Sequence, residues 1–136
     1  MNYVEIEIQL RNAPLVGYEQ RKHLSPMCGV YAAWMIGEPR CLYVGRAGNL
    51  KNRLGDHYRG SRGGDQFCLY IYDAYIHDIL CLSNLRLGTK EINDMTGRWI
   101  QENIRFQWIE MNIEDCVDVE NFLRRKWHPI LNSLEQ

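Results

Sequence analysis

Apolar and polar residues alternate along the first ten positions of the chain. Single polar residues separate four aliphatic ones, Val4, Ile6, Ile8 and Leu10. A period of two is typical of a β-strand with one buried face. We therefore predict that residues 3–10 form a strand at the edge of a small sheet.

Two further apolar segments, residues 29–36 and 41–45, flank a turn-forming Gly-Glu-Pro sequence. Their β-branched and aromatic residues on either side of that turn predict a β-hairpin. Tyr31 and Tyr43 would then lie on adjacent strands. Residues 104–111 alternate at period two again, which predicts a third core strand.

Helical spacing follows the hairpin. Leu50 and Leu54 lie four residues apart after Asn49, and asparagine commonly caps helices. At about 100° per residue, Arg53 and His57 lie about 60° and 20° to one side of Leu50. A cation and a titratable ring thus flank the buried face of this helix, near the two strand tyrosines. Such a combination suits a phosphate site.

Three other segments predict helices. Residues 66–80 are rich in aromatic and β-branched residues, as strands are, but their length favours a buried helix, which we predict. Residues 90–103 follow Thr89, a candidate N-cap, and residues 114–127 end before a His-Pro pair. Residues 11–26 lack periodicity and predict a connector with one helical turn. We expect the α/β (α+β) class, with a central antiparallel or mixed sheet of three to four strands flanked by helices.

The length of 136 residues suits one domain, with residues 1–27 as N-terminal strand and connector and residues 28–132 as the functional core. The formal net charge is −1, but residues 40–62 carry only one acid, Asp56. Six basic residues lie in the same segment: Arg40, Arg46, Lys51, Arg53, Arg59 and Arg62. This asymmetry favours a local contact with a polyanion, with a solvated helix face as the alternative.

Five cysteines form no Cys-x-x-Cys pair, so neither a disulfide framework nor a zinc knuckle is indicated. Reduced, buried thiols in the cytoplasm are expected. The first ten residues do not resemble a signal peptide. The most apolar stretch, residues 67–82, is interrupted by charged residues and does not suit a membrane span.

Glu120 lies in the centre of the apolar stripe of the last predicted helix, between Cys116 and Leu123. Burial of a charge is unfavourable unless the charge is paired or binds a metal. Two interpretations remain open here. Glu120 is either a metal ligand or a partly exposed residue whose carboxylate meets Arg124 or a neighbouring lysine.

Three short motifs follow one another at a defined spacing. The sequence is Gly-Val-Tyr at residues 29–31, Tyr-Val-Gly at residues 43–45, and Gly-Arg-Ala-Gly-Asn-Leu-Lys-Asn-Arg-Leu at residues 45–54. With a downstream glutamate, this arrangement resembles the GIY-YIG nuclease superfamily. The resemblance covers residues 28–132.

The departures from the family pattern are small. Val30 and Val44 replace the isoleucines that name the motif, and Arg46 stands where lysine is frequent. Members of this family carry one metal-binding glutamate on a C-terminal helix, followed by Pro-x-x-Asn. The resemblance therefore implies that Glu120 binds the metal and that Asn132 belongs to the same site.

The resemblance also implies roles in phosphodiester hydrolysis. Tyr31 would be the general base for water, Tyr43 would orient that water, and His57 would relay the proton. Ionising an ordinary tyrosine at pH 7 costs about 4 kcal/mol, so Arg46 and Arg53 are expected to lower its pKa. The sequence leaves open whether Tyr31 or His57 takes the proton first. Arg53, assisted by Arg46, would neutralise charge on the phosphoryl oxygens.

The implied activity is that of a DNA endonuclease with one Mg²⁺ or Mn²⁺ held by Glu120. DNA, branched or damaged DNA included, is the implied partner, and a dimer is one possible assembly. Four cations are expected to contact nucleic acid: Arg46, Lys51, Arg59 and Arg62. The alternative is an inactive nucleic-acid-binding module with the same fold. Restriction, repair, mobile-element and toxin roles, and DNA against RNA, are not distinguished.

Overall fold

The computed structural model describes residues 1–83 and 86–132. Three strands form an antiparallel sheet in the order β2-β1-β3: β1 (Gly29–Met35), β2 (Tyr43–Ala47) and β3 (Ile104–Glu110). Helices cover both faces of this sheet: α1 (Tyr3–Asn12), a 3₁₀ helix (Tyr18–His23), α2 (Leu50–Arg59), α3 (Gln66–Ile71), a π-helical turn (Tyr72–Ile76), α4 (His77–Ser83), α5 (Thr89–Asn103) and α6 (Ile113–Trp127). The expected α+β class is confirmed.

The tyrosine hairpin forms as predicted. β1 is the central strand, and its Tyr31 lies opposite Gly45 on β2 and opposite Trp108 on β3. Because successive side chains of a strand point to opposite faces, Tyr31 and Tyr43 share one face of the sheet. Val30 and Val44 share the other.

Each face of the sheet has its own hydrophobic core. On the tyrosine face, the buried residues come from α2, α3 and α5 as well as the strands and include Leu54, Phe67 and Ile100. On the valine face, α1 and α6 supply Leu10 and Leu123. The sheet therefore separates α2 from α6.

The predicted strand at residues 3–10 is wrong, because these residues form α1. The Asn2 side chain accepts a hydrogen bond from the Glu5 amide and caps the helix. Helical spacing buries Leu10 and leaves Ile8 about half exposed, although both belong to the alternating pattern. The open edge of β3 is instead covered by Val16, whose backbone amide and carbonyl both pair with Phe106.

The other helices agree with the sequence analysis, apart from one cap. The helix predicted at residues 66–80 is confirmed, with a π-helical turn inside it. The helical turn in the connector is the 3₁₀ helix. Thr89 is the first residue of α5 and not its cap, because Gly88 occupies the N-cap position. α6 ends at His128, which adopts a left-handed conformation with φ of 46°.

All five cysteines are free, and three of them, Cys41, Cys68 and Cys116, are buried. Over the part of the chain that the structure describes, no helix has the length and apolar character needed to span a membrane.

The crossing of α2 over α5 is tight. A Cβ atom at Gly97 would lie 2.7 Å from the Tyr58 carbonyl oxygen, whereas one at Gly55 would meet no atom within 4 Å. We predict that Gly97→Ala lowers the free energy of unfolding by about 1–3 kcal/mol through this overlap. Gly55→Ala should raise it by about 0.5–1 kcal/mol, because alanine favours a helix more than glycine does. Urea denaturation measures both, and equal stability of the two variants would contradict the close crossing.

Candidate active site

Helix α2 positions the predicted Arg53 and His57. Its N-terminus is capped by the Asn49 side chain, which accepts a hydrogen bond from the Asn52 amide at 3.0 Å. Leu50 and Leu54 are fully buried and fix the rotation of the helix against the sheet. His57 is also fully buried on this face, while Arg53 lies on its flank and is partly exposed.

A chain of hydrogen bonds links three buried side chains below the sheet. The Tyr31 hydroxyl lies 2.7 Å from Nε2 of His57, and Nδ1 of His57 lies 2.8 Å from Oδ2 of Asp65. Oδ1 of Asp65 accepts a hydrogen bond from the Cys68 amide and caps α3. One carboxylate therefore starts a helix and orients the imidazole.

Gly45 makes room for the phenol of Tyr31. A Cβ atom at this position would lie 2.6 Å from the Tyr31 hydroxyl oxygen. The phenol thus lies directly against the backbone of β2, the edge strand of the sheet. Any side chain at residue 45 would have to displace it.

Burial sets the protonation states of this chain. Burial lowers the pKa of His57 despite the neighbouring Asp65 carboxylate, and so favours the neutral ring. Burial raises the pKa of Asp65, but the hydrogen bonds that its carboxylate accepts from His57 and from the Cys68 amide lower that pKa by more. A neutral His57 donates from Nδ1 to Asp65, so its Nε2 accepts the proton of the Tyr31 hydroxyl.

The expected lowering of the Tyr31 pKa is wrong. Desolvation by burial raises the pKa of Tyr31 well above its ordinary value, and Tyr43 raises it further. The charge of Arg53 lowers the pKa of Tyr31, but by less than burial raises it. Arg46 lies on the other face of the sheet from Tyr31, where it pairs with Glu120. The resting phenol is therefore protonated.

The expectation that Glu120, Arg46 and the two tyrosines share one face of the sheet is wrong, because Glu120 and Arg46 form a second cluster on the opposite face. Oε1 of Glu120 lies 2.9 Å from Nη1 of Arg46, and its Oε2 lies 3.6 Å from Nη2 of Arg124. Glu120 is only 4% exposed, while the Arg46 side chain is 49% exposed. The carboxylate thus meets Arg124, as one of the two interpretations expected, but it is buried rather than partly exposed.

The open edge of β2 lies between the two clusters. At Val44, the backbone amide donates to Oδ1 of Asn132, and the carbonyl accepts from Asn132 and from Nε of Arg124. The Arg124 guanidinium also lies 5.7 Å from the centre of the Tyr43 ring. Arg124 therefore contacts both Glu120 and Tyr43 around the strand edge. Asn132, the last residue that the structure describes, is hydrogen-bonded to the same edge.

The four cations expected to contact nucleic acid do not form one patch. Arg46 pairs with Glu120, and Lys51 and Arg59 line an open cleft on the solvent side of α2. Arg62 donates to Asn93 and stacks over a tyrosine ring of the π-helical turn.

Two sets of side chains offer donor atoms that could hold a metal ion. His57, Asp65 and Cys68 offer three donor atoms within 4.8 Å of one another. These donors already hydrogen-bond, and burial raises the pKa of the Cys68 thiol, so the set does not fit a hard cation such as Mg²⁺. Glu120 fits better, since Mg²⁺ needs only one or two protein carboxylates beside water and phosphate.

Asp65 and Arg124 were not identified as site residues from the sequence. Asp65 precedes the predicted helix 66–80 and could have been recognised as its cap, but no local pattern connects it with His57 eight positions earlier. Arg124 was recognised only as a partner of Glu120. Its contact with Tyr43 depends on how α6 packs against β2.

We predict a pH dependence of stability that originates at His57. A lowered pKa in the folded state means that stability is complete above the unfolded pKa of about 6.5 and falls as the pH drops towards the folded value, at up to about 1.4 kcal/mol per pH unit. Asp65 acts in a separate window, below its unfolded pKa of about 3.9. Urea denaturation between about pH 7 and pH 5 should therefore show a shallower loss in His57→Gln than in the unmodified protein. Identical slopes would contradict a buried neutral imidazole.

The contact of Gly45 with the Tyr31 phenol gives a second prediction. Gly45→Ala should lower the free energy of unfolding by about 1–3 kcal/mol, because the added methyl group overlaps the phenol. Gly63→Ala is the control, since its Cβ would meet nothing within 4 Å. If both variants denature at the same urea concentration, the phenol does not lie where the structure places it.

No family model matches this chain, and no curated protein matches it. Among solved structures, the chain is similar to the N-terminal GIY-YIG endonuclease domain of UvrC from Thermotoga maritima, a point mutant bound to its catalytic divalent cation. The identity is 14%, the TM-score is 0.40, and the similarity covers 83% of this chain and 90% of that chain.

Proposed function

We propose that this protein is a metal-dependent nuclease that hydrolyses phosphodiester bonds in DNA. The proposal rests on the motif resemblance of residues 28–132 and on one observation. That observation is the buried Asp65–His57–Tyr31 hydrogen-bond chain, which ends in a phenol beside Arg53 at the edge of the sheet. A phenol oriented by a carboxylate–imidazole pair is suited to proton transfer.

The proton moves in one concerted step. Water attacks phosphorus, a phosphorus–oxygen bond forms, and the water proton passes to the Tyr31 oxygen as the Tyr31 proton passes to Nε2 of His57. The bond to the leaving oxygen breaks, and that oxygen takes a proton from solvent. Asp65 stabilises the imidazolium that forms. Tyr31 is never a free phenolate in the resting protein, which avoids the ionisation cost of about 4 kcal/mol at pH 7.

This scheme assigns the first proton transfer to Tyr31. His57 is fully buried and its two ring nitrogens are engaged by Tyr31 and Asp65. It therefore has no nitrogen available for water. Arg53, whose charge interacts with Tyr31, would neutralise charge on the phosphoryl oxygens. Tyr43 lies on the same face and would orient the water.

Glu120 is the residue that would hold the divalent cation. A bound Mg²⁺ or Mn²⁺ supplies a Lewis acid that stabilises negative charge on the phosphate and on the leaving oxygen. Arg46 and Arg124, which pair with the Glu120 carboxylate, would offer their charge to the phosphate. Asn132 would keep β2 and the end of the site in register through its bonds to Val44.

Two observations favour the alternative, a nucleic-acid-binding module without turnover. Tyr31 is only 1% exposed, and the Glu120 carboxylate already has two guanidinium neighbours. A site of this kind must open for substrate before it can act. Binding measured in EDTA, beside cleavage measured with metal, separates the two functions, because a binding module forms no metal-dependent product.

We predict that the purified protein nicks supercoiled plasmid DNA when Mg²⁺ or Mn²⁺ is added. Tyr31→Phe removes the transferred proton and should lower the rate about 10²-fold to 10⁴-fold. Arg53→Ala should lower it about 10²-fold to 10³-fold through lost charge stabilisation. Glu120→Gln should abolish the response to metal.

Two control variants remove the same kinds of charge at positions outside the candidate site. Arg125→Ala removes an exposed arginine and Glu114→Gln an exposed glutamate, both on α6. Both controls should nick at the unmodified rate. Undiminished cleavage in Glu120→Gln and Arg53→Ala would remove the site assignment, and no cleavage of any substrate by the unmodified protein would favour the binding module. Linear, branched and single-stranded DNA and RNA complete the substrate series.

A further inference from the structure

A large concavity lies on the other side of α2 from Tyr31. It is an open cleft of about 1700 Å³ between the 3₁₀ helix, α2 and α5. Small-molecule pockets usually measure about 300–1,000 Å³, so this cleft is better suited to a segment of a polymer. At the floor of the cleft, Gly97 packs closely against the Tyr58 and Arg59 backbone, and α5 therefore lies close to α2 there.

The helical wheel of α2 separates the cleft from the candidate active site. Arg53 lies about 60° to one side of Leu50 and reaches Tyr31, whereas Lys51 and Gly55 lie about 100° and 140° to the other side and line the cleft. One helix thus carries a different group of functional side chains on each flank.

The lining of the cleft is cationic. Three acids, Glu19, Asp56 and Asp94, lie among the described lining residues. Six cations line the same cleft: Arg21, Lys22, Lys51, Arg59, Lys90 and Arg98. Asp56 is neutralised by Arg59 at 2.7 Å. Across the residues that the structure describes, no ion pair is formed by Lys22, Lys51, Lys90 or Arg98, and all four are exposed.

A buried hydroxyl in the cleft wall lacks a partner. Tyr58 is 3% exposed and lines the cleft, and its hydroxyl is the one buried side-chain polar atom that forms no hydrogen bond in the described part of the chain. Its ring packs edge-on against Tyr18 of the 3₁₀ helix. Burial raises the pKa of Tyr58 to about 12, which keeps the hydroxyl a donor. A buried donor without an acceptor costs about 1–3 kcal/mol, and this hydroxyl is enclosed by the protein and not open to the cleft.

We propose that this cleft binds the phosphate backbone of a nucleic-acid strand outside the scissile bond, with the unpaired lysines and Arg98 as donors. The net positive lining fits the negative charge of the backbone. The inference rests on the proposed function only in its choice of nucleic acid as ligand. It requires no cleavage.

The test is binding of short fluorescent duplex DNA in EDTA, measured by anisotropy over a range of salt concentrations. The double variant Lys51→Ala/Arg98→Ala should weaken binding about tenfold, because it removes two exposed cations that line the cleft. The double variant Lys22→Ala/Lys90→Ala should reduce the slope of log affinity against log salt by about 0.9 per lost phosphate contact. Arg125→Ala, outside the cleft, is the control and should bind as the unmodified protein does.

The outcomes separate this inference from the proposed function. Weaker binding in the cleft variants supports the cleft, whether or not plasmid is nicked with metal. Unchanged affinity and salt slope in both cleft variants would overturn it, even if cleavage is observed. Displacement of the duplex by polyglutamate at the concentration at which unlabelled DNA displaces it would also overturn it, in favour of an acidic protein segment.

Discussion

The complete burial of the His57 imidazole is the constraint on which the candidate site depends. A buried ring must satisfy both nitrogens from within the protein, and here Asp65 and Tyr31 do so. Because Asp65 also caps α3, the position of that helix and the tautomer of His57 are set by one carboxylate. The protonated phenol of Tyr31 follows from the same burial.

Edge strand β2 is the second organising element. Its Gly45 admits the Tyr31 phenol from one face, and the outward backbone groups of Val44 hold Asn132 and Arg124. Arg124 in turn lies near both Glu120 and Tyr43. Side chains from the two faces of the sheet therefore meet around this edge, and a phosphate bound there could contact groups from both faces.

Helix α2 links the two functional surfaces that we propose. Leu50 and Leu54 fix its rotation, so Arg53 and His57 face the phenol while Lys51 and Tyr58 reach the cleft. A strand held in the cleft would be positioned by a rigid element that also carries proposed catalytic groups. Rigid support of this kind favours accurate placement of a substrate.

Local periodicity and turn chemistry are sufficient to predict the tyrosine hairpin, the cap and apolar face of α2, β3 and α6. Tertiary structure alone decided that residues 3–10 are a helix, since burial of Leu10 against α6 and the strands outweighs their alternation. It also decided that Asp65 orients His57, that burial raises the Tyr31 pKa and that Arg46 meets Glu120 instead of Tyr31. These facts depend on contacts between distant segments and on desolvation, and neither is written in a local pattern.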